Sequence, residues 1–299
     1  MSENNIVNRF LASLSDNKKS SSNTLAAYRR DLDCYFEYLK FSGLDYSCVS
    51  QQQILSYKQY LIDSGKSVST VSRCMSSLRS FYKFLVCESL CDSNPTSKVK
   101  NDKAEKKYFE VLTEGEIDAL LAVPDADSYK GRRDKAMLEL MYATGLKVSE
   151  LMSLNVSDVN IKMGCIKCSS SADGGKSRMI LLYPKAVRAI DDYISKSRMY
   201  FVADEGENAL FVNTNGERMT RQGLWKIIKI YAEKAGIKKS ITPHTLRHSF
   251  ATHLLENGAD IRDVKDILGH SDISSTAVYS DYLKSRVNSS YLRFNHRSR

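Results

Sequence analysis

Thr242-Pro243-His244-Thr245-Leu246-Arg247-His248-Ser249-Phe250-Ala251 is the stretch on which the reading of this 299-residue chain turns. It lies on a helix after Pro243, and His244 and Arg247, three apart, share one face of it and point at one target. Arg247 offers a planar fork of donors suited to a phosphate. Downstream, Leu268-Gly269-His270-Ser271 reads as a helix C-terminus with its glycine, and Tyr279 follows nine residues after His270. Both histidines exchange protons near neutrality. A tyrosine phenol, with an unperturbed pKa near 10, is a poor nucleophile until it is positioned and its proton removed. Together these residues suit attack on a phosphodiester: a nucleophile, donors for the nonbridging oxygens, and groups to move protons. Upstream, Ala143-Thr144-Gly145-Leu146-Lys147-Val148-Ser149-Glu150-Leu151 reads as a helix end, a glycine stop and a new helix start.

Plainer readings compete. An isolated arginine is usually a surface charge, and a late tyrosine is usually core or rim. Histidines close together sometimes hold a metal, but no carboxylate completes a His-Glu-x-x-His pattern here. Cys165 and Cys168 form a lone pair without the second pair that structural zinc needs, and strand alternation explains them more simply. No metal or other cofactor is expected.

The rest of the chain supplies a setting. Lysine and arginine total 44 against 35 acidic residues, a net charge of +9 that suggests a polyanionic partner. Seven cysteines, an odd number, fit reduced thiols in a cytoplasmic protein. The first residues show no signal peptide and no stretch is apolar enough to span a bilayer. Residues 1–90 read as four amphipathic helices: Val7, Phe10, Leu11 and Leu14; Leu25 to Leu39, stopping at Gly43; Ile54, Tyr57 and Leu61; and, starting after Ser69, Val71, Cys74, Leu78, Phe81 and Leu85. Such helices make a small bundle. Their outer faces carry Arg29, Arg30, Arg73, Arg79 and Lys83, with Ser69, Thr70, Ser72, Ser76, Ser77 and Ser80 between the later cations. Small hydroxyls among cations let a helix lie close to phosphates and base edges, although a solvated face has the same look.

Asn94-Pro95 breaks the last of these helices, and the lysine-rich stretch over 91–107 reads as a basic linker. A second domain, 108–299, opens with a Thr113/Glu116 capping box. A helix runs from about Arg133 to Ala143, and strands over Ile161–Cys168 and Arg178–Leu182 flank a turn-rich Ser169–Gly175. Helices resume after Pro184. The fold class is therefore mainly α with a small β-sheet.

From Thr242 to Tyr279 the chain strongly resembles the tyrosine recombinases of the phage integrase family, Xer type. The likeness is clear again in Ala143–Leu154, and looser but continuous elsewhere, including the four-helix first domain and the Asn94-Pro95 junction. The resemblance implies an N-terminal SAM-like DNA-binding domain and a C-terminal mixed α/β catalytic domain. It carries over His244, Arg247, His270 and Tyr279 as site residues. It also implies that Tyr279 attacks a phosphate of double-stranded DNA, leaving a 3′-phosphotyrosyl link and a free 5′-hydroxyl, with no ATP or metal. Four protomers, alike or paired with a related recombinase, would act on two duplexes. Each C-terminal helix would dock on a neighbour through a stripe of Leu283, Val287, Tyr291 and Phe294, a stripe that also suits packing on its own core. With no extra N-terminal arm-binding domain in view, the resemblance leans towards chromosome dimer resolution over phage integration.

Two positions depart from the family pattern. Lys147 stands where the family has arginine, which keeps the charge and loses the fork. Counting back from Arg178, Asp173 falls where the family has a lysine that protonates the leaving 5′-oxygen, and Lys176 sits three residues later. Losing one such donor costs about a hundred- to a thousand-fold in rate. Two readings result: an active site-specific recombinase in which Lys176 serves as the acid, or an impaired relative that acts as a DNA-binding partner or architectural subunit. A helical transcription regulator would explain the basic helices, but not the His-Arg-His-Tyr set.

Overall fold

The computed structural model describes residues 3–18, 22–101, 109–169, 177–202, 206–270 and 272–294; side chains within 16–18, at 22 and over 285–294 are outside that description. The chain divides into two compact units, Met1–Lys107 and Tyr108–Arg299.

In the first unit the apolar spacing builds α1 (Glu3–Lys18), α2 (Ser22–Ser42), α3 (Gln51–Asp63) and α4 (Val68–Cys87). Ser50 and Ser67 cap α3 and α4, so α4 begins ahead of Ser69. The helices bury Phe10, Leu32, Tyr35, Tyr57, Leu78, Phe81 and Leu85 against one another. A second buried element is polar. Asp31 of α2 accepts from Arg73 (2.5 Å), Ser77 Oγ (2.7 Å) and Cys74 Sγ (3.2 Å), all on α4. Ser77 is thereby turned wholly inward. It does not belong to the outer hydroxyl face, because a buried carboxylate requires donors.

The segment expected as a basic linker packs against the bundle as far as Asn101. Asn94 accepts from Thr96 N (2.9 Å), an Asx turn that redirects the chain after α4. Val99 is buried in the helical core, and its carbonyl accepts from Arg79 (2.9 Å). Lys58 donates to the Lys100 carbonyl at 3.1 Å. Residues 102–107 lie outside the described residues.

The second unit contains α5 (Glu114–Ala122), α6 (Tyr129–Thr144), α7 (Val148–Ser153), α8 (Pro184–Lys196), α9 (Arg221–Lys234), α10 (Pro243–Glu256), α11 (Ile261–Leu268) and α12 (Ser274–Phe294). A small antiparallel sheet has the order β1 (Val159–Asn160), β2 (Cys165–Ser169), β3 (Ser177–Leu181). The Thr113/Glu116 capping box starts α5. Ser128 caps α6, so that helix begins four residues before Arg133. Residues 161–164 form a turn closed by Gly164 (φ +60°), so the first expected strand begins only at Cys165 as β2, and the short β1 lies ahead of it. β2 and β3 pair from Cys165↔Leu181 to Ser169↔Ser177. The central helix is α6, with Met137, Leu138, Leu140 and Met141 buried. Among the described residues no helix is long and apolar enough to cross a membrane.

Two left-handed glycines end helices at close quarters. Gly145 (φ +57°) ends α6, and a Cβ there would lie 2.4 Å from the Phe250 ring. Gly269 (φ +63°) ends α11, and a Cβ would lie 2.6 Å from an Arg178 guanidinium nitrogen. Each lets a helix stop where its carbonyls meet an arginine.

Candidate active site

Arg247 is the centre. It is 5% exposed on α10, where its guanidinium donates to the Gly145 carbonyl and to the Leu268 carbonyl (2.9 Å). It also meets His270 Nε2 at 2.8 Å. The C-terminal ends of α6 and α11 therefore converge on one cation, as helix dipoles favour. Among the described residues no carboxylate hydrogen-bonds to Arg247. Its charge stays available to an incoming anion, and burial holds its pKa below the ordinary value.

Arginine only donates, so His270 must present its Nε2 lone pair and carry its proton on Nδ1. That proton is donated to Thr276 Oγ1, 2.8 Å away, a wholly buried residue in the first turn of α12. Burial first, then the charges of Arg247, Lys147 and Arg178, push His270 down to about 4.

Tyr279 is 2% exposed on α12, and its hydroxyl lies 3.0 Å from His248 Nδ1. Burial raises the phenol pKa, while the nearby Arg247 charge pulls the other way. Burial, followed by the charges of His244, Arg247 and His270, brings His248 down to about 4. His244 is exposed one turn earlier on α10, its ring 6.4 Å from that of His248.

Lys147 is half-buried in the loop between Gly145 and α7, and its backbone N–H donates to Glu150 (2.9 Å). Glu150 in turn grips Arg178 of β3 through two 3.0 Å bonds, and Arg178 Nε donates to the Ile267 carbonyl (2.9 Å). Two guanidiniums thus hold the end of α11, and His270 with it. Asp173 and Lys176 lie outside the described residues, as do the side chains of Val287, Tyr291 and Phe294; Leu283 is half-buried.

Arg247, His270 and Tyr279 are therefore brought together, with His244 at the open edge. Arg178, His248 and Thr276 were not singled out as site residues from the sequence. His248 sits beside Arg247 in the chain, but nothing local says that it meets a phenol 31 residues away. In the first unit Arg30 and Lys83 are exposed, Arg29 bonds to Asn8, Arg73 to Asp31 and Arg79 to the Val99 carbonyl, and Ser76 to the Ser72 carbonyl. Three of the five cations thus also brace their own fold.

Residues 110–286 match the phage integrase family, and residues 7–89 match the phage integrase N-terminal SAM-like domain. The chain belongs to the phage integrase family. It is 45% identical over 281 residues to the tyrosine recombinase XerD of Oceanobacillus iheyensis, covering 93% of this chain and 94% of that one. It is 43% identical over 298 residues to the XerD of Staphylococcus epidermidis, covering 99% and 100%. Its fold is similar to that of the XerH site-specific recombinase, solved bound to palindromic difH substrate as a post-cleavage complex. There the TM-score is 0.77 at 19% identity, over 97% of this chain and 84% of that one.

Two predictions arise from this geometry. Arg178→Ala strands Glu150, 4% exposed, without its partner, and breaking a buried pair this way costs about 3–5 kcal/mol. Urea unfolding of the full chain should show that loss, and cleavage should fall with it; a loss below about 1 kcal/mol, the scale of a surface pair, would contradict the clamp. The second concerns pH. His248 and His270 titrate near 6.5 when unfolded and about 4 when folded, so between those values the unfolded chain binds more protons. Their contribution to stability is complete above about 6.5 and is lost as pH falls towards 4. The thermal midpoint should drop over that window, and less steeply in His270→Asn; an unchanged slope in the variant would contradict the assignment.

Proposed function

We propose that this chain is a site-specific recombinase that cuts and rejoins double-stranded DNA through Tyr279. The observation that carries the reading is the buried Arg247 guanidinium, free of carboxylate partners among the described residues, with His270 bonded to it and Tyr279 packed close by. A DNA phosphate seated there receives a pre-organised fork without reorganisation, where charge develops in the transition state.

In this reading Tyr279 attacks phosphorus, the bond to the 5′-oxygen breaks, and a 3′-phosphotyrosyl ester conserves the bond energy. The 5′-hydroxyl of a partner strand then reverses the step. Arg247 and Lys147 hold the nonbridging oxygens, His244 donates to the phosphate from the open edge, His270 holds the Arg247 fork in place, and Lys176 protonates the leaving 5′-oxygen. Arg29, Arg30, Arg73, Ser76, Arg79 and Lys83 bind the duplex from the first domain, and 108–299 is the catalytic domain. A homo- or hetero-tetramer on two duplexes is the working assembly, and chromosome dimer resolution in the cytoplasm is the setting. The identity with XerD proteins along nearly the whole chain supports that setting.

The test is a nicked suicide duplex bearing the recombination site. Without added metal, the wild type should give a denaturant-resistant protein–DNA adduct, and Tyr279→Phe none. No adduct from the wild type, or full cleavage by the variant, would overturn the proposal.

A further inference from the structure

Two side chains of the second unit, His248 and Phe109, flank Tyr279 and have no part in the cleavage chemistry assigned so far. His248 Nδ1 lies 3.0 Å from the Tyr279 hydroxyl. Phe109 stacks on the His248 ring at 4.5 Å and 26°, and meets the Tyr279 ring edge-on at 5.2 Å and 68°. The imidazole is thus held between an aromatic wall and the phenol. The two other histidines of the site are differently employed. Both nitrogens of His270 are engaged, by Arg247 and by Thr276, and His244 is exposed a turn away.

We propose that His248 is the base that removes the Tyr279 proton during strand cleavage, an assignment that rests on Tyr279 being the nucleophile. The step uses the tautomer with its proton on Nε2 and its lone pair on Nδ1. As the Tyr279 oxygen forms its bond to phosphorus, its proton passes to His248 Nδ1. The bond from phosphorus to the 5′-oxygen breaks with its electron pair, and that oxygen takes a proton from the acid assigned above, Lys176, to become the 5′-hydroxyl. In rejoining, the incoming 5′-hydroxyl returns its proton to that amine and displaces Tyr279, which recovers its proton from His248.

The charges around His248 explain why the base waits for DNA. Burial is the first thing that disfavours an imidazolium at His248, and positive charge on His244 or Arg247 of α10, or on His270 after α11, adds to it. The base is therefore neutral and ready, but weak. A phosphate seated on Arg247 brings negative charge beside it, and an opposite charge within a few ångströms favours the protonated imidazole. Proton transfer is thereby tied to substrate binding.

The experiment uses the full chain and the nicked suicide duplex. Asparagine keeps a hydrogen-bonding atom near the Nδ1 position but cannot serve as a base. His248→Asn should bind DNA as the wild type does and form adduct about a hundred-fold more slowly, the usual loss on removing a general base. Imidazole added to His248→Ala should restore part of the rate. A second substrate carries a 3′-p-nitrophenyl phosphate, whose leaving group needs neither Tyr279 nor its proton. In a Tyr279→Phe background, joining this strand to a 5′-hydroxyl should proceed equally with and without His248→Asn. Adduct formation by His248→Asn within about three-fold of wild type, far short of a general-base loss, would overturn the proposal while leaving the recombinase reading intact. Equal loss in the p-nitrophenyl reaction would overturn it too, because His248 would then serve the phosphate site and not the phenol. A wild type that forms no adduct removes the recombinase reading itself, and this assignment with it.

Discussion

Arg247→Lys is expected to slow DNA cleavage by about a thousand-fold or more, the upper end of what one lost transition-state donor costs, while DNA affinity changes by only a few-fold. The side chain carries more than charge. Its fork is held by carbonyls at the ends of two helices and by His270, so its orientation is set before substrate arrives. Lysine keeps the positive charge that dominates DNA affinity, but it is a point donor on a flexible stem. It cannot satisfy the Gly145 and Leu268 carbonyls and grip two phosphate oxygens together. The loss therefore falls on the transition state, and single-turnover cleavage at saturating protein reads it directly. A rate within about ten-fold of wild type, about 1.4 kcal/mol, would mean that Arg247 is structural.

The second large effect concerns the acid at the hairpin. Lys176→Ala should slow cleavage by about a hundred-fold, as loss of a general acid does. That loss should shrink on a substrate whose leaving group is a 5′-thiolate, which needs little protonation. Asp173→Lys tests the competing assignment: a marked gain would mean that the natural chain lacks its acid. Lys147 belongs to the same question. It follows the turn whose Gly145 carbonyl holds Arg247, and its backbone is pinned by Glu150. Lys147→Arg should accordingly raise the cleavage rate with little change in affinity, because charge is conserved and only fork geometry is added. If neither Lys147→Arg nor Asp173→Lys improves cleavage while Lys176→Ala is fully active, the roles given to these three positions fail.

Much of the fold could be read from local signals. Apolar spacing marked the four helices of the first unit, the Thr113/Glu116 box marked α5, and Gly145 and Gly269 marked the ends of α6 and α11. His244 and Arg247 were legible as a pair from helix spacing, whereas His270 and Tyr279, which lie beyond that helix, were carried over by the resemblance to the family. What was missed depends on partners far away in sequence. Ser77 turns inward because Asp31, 46 residues earlier, needs donors. Residues 91–101 look like a lysine-rich linker in composition, yet the single apolar Val99 and the Asx turn at Asn94 seat them on α4. Arg178 served only as a counting mark in the sequence, whereas its partners Glu150 and Ile267 come from two other elements. Periodicity carries no information on such pairs. His248 lay inside the quoted motif itself and was passed over, because only the packing of α12 against α10 gives it a phenol to meet.

The central claim is that Tyr279 becomes covalently joined to a 3′-phosphate. The most direct measurement is to trap the adduct on a nicked duplex, digest both DNA and protein, and locate the modified residue by mass spectrometry. The strand polarity is read from end-labelled DNA in the same experiment. The account predicts one nucleotide-bearing peptide, modified at Tyr279, with the label retained only when it lies 5′ of the break on the cleaved strand. Modification of any other residue, or retention of a label placed 3′ of the break, would contradict it.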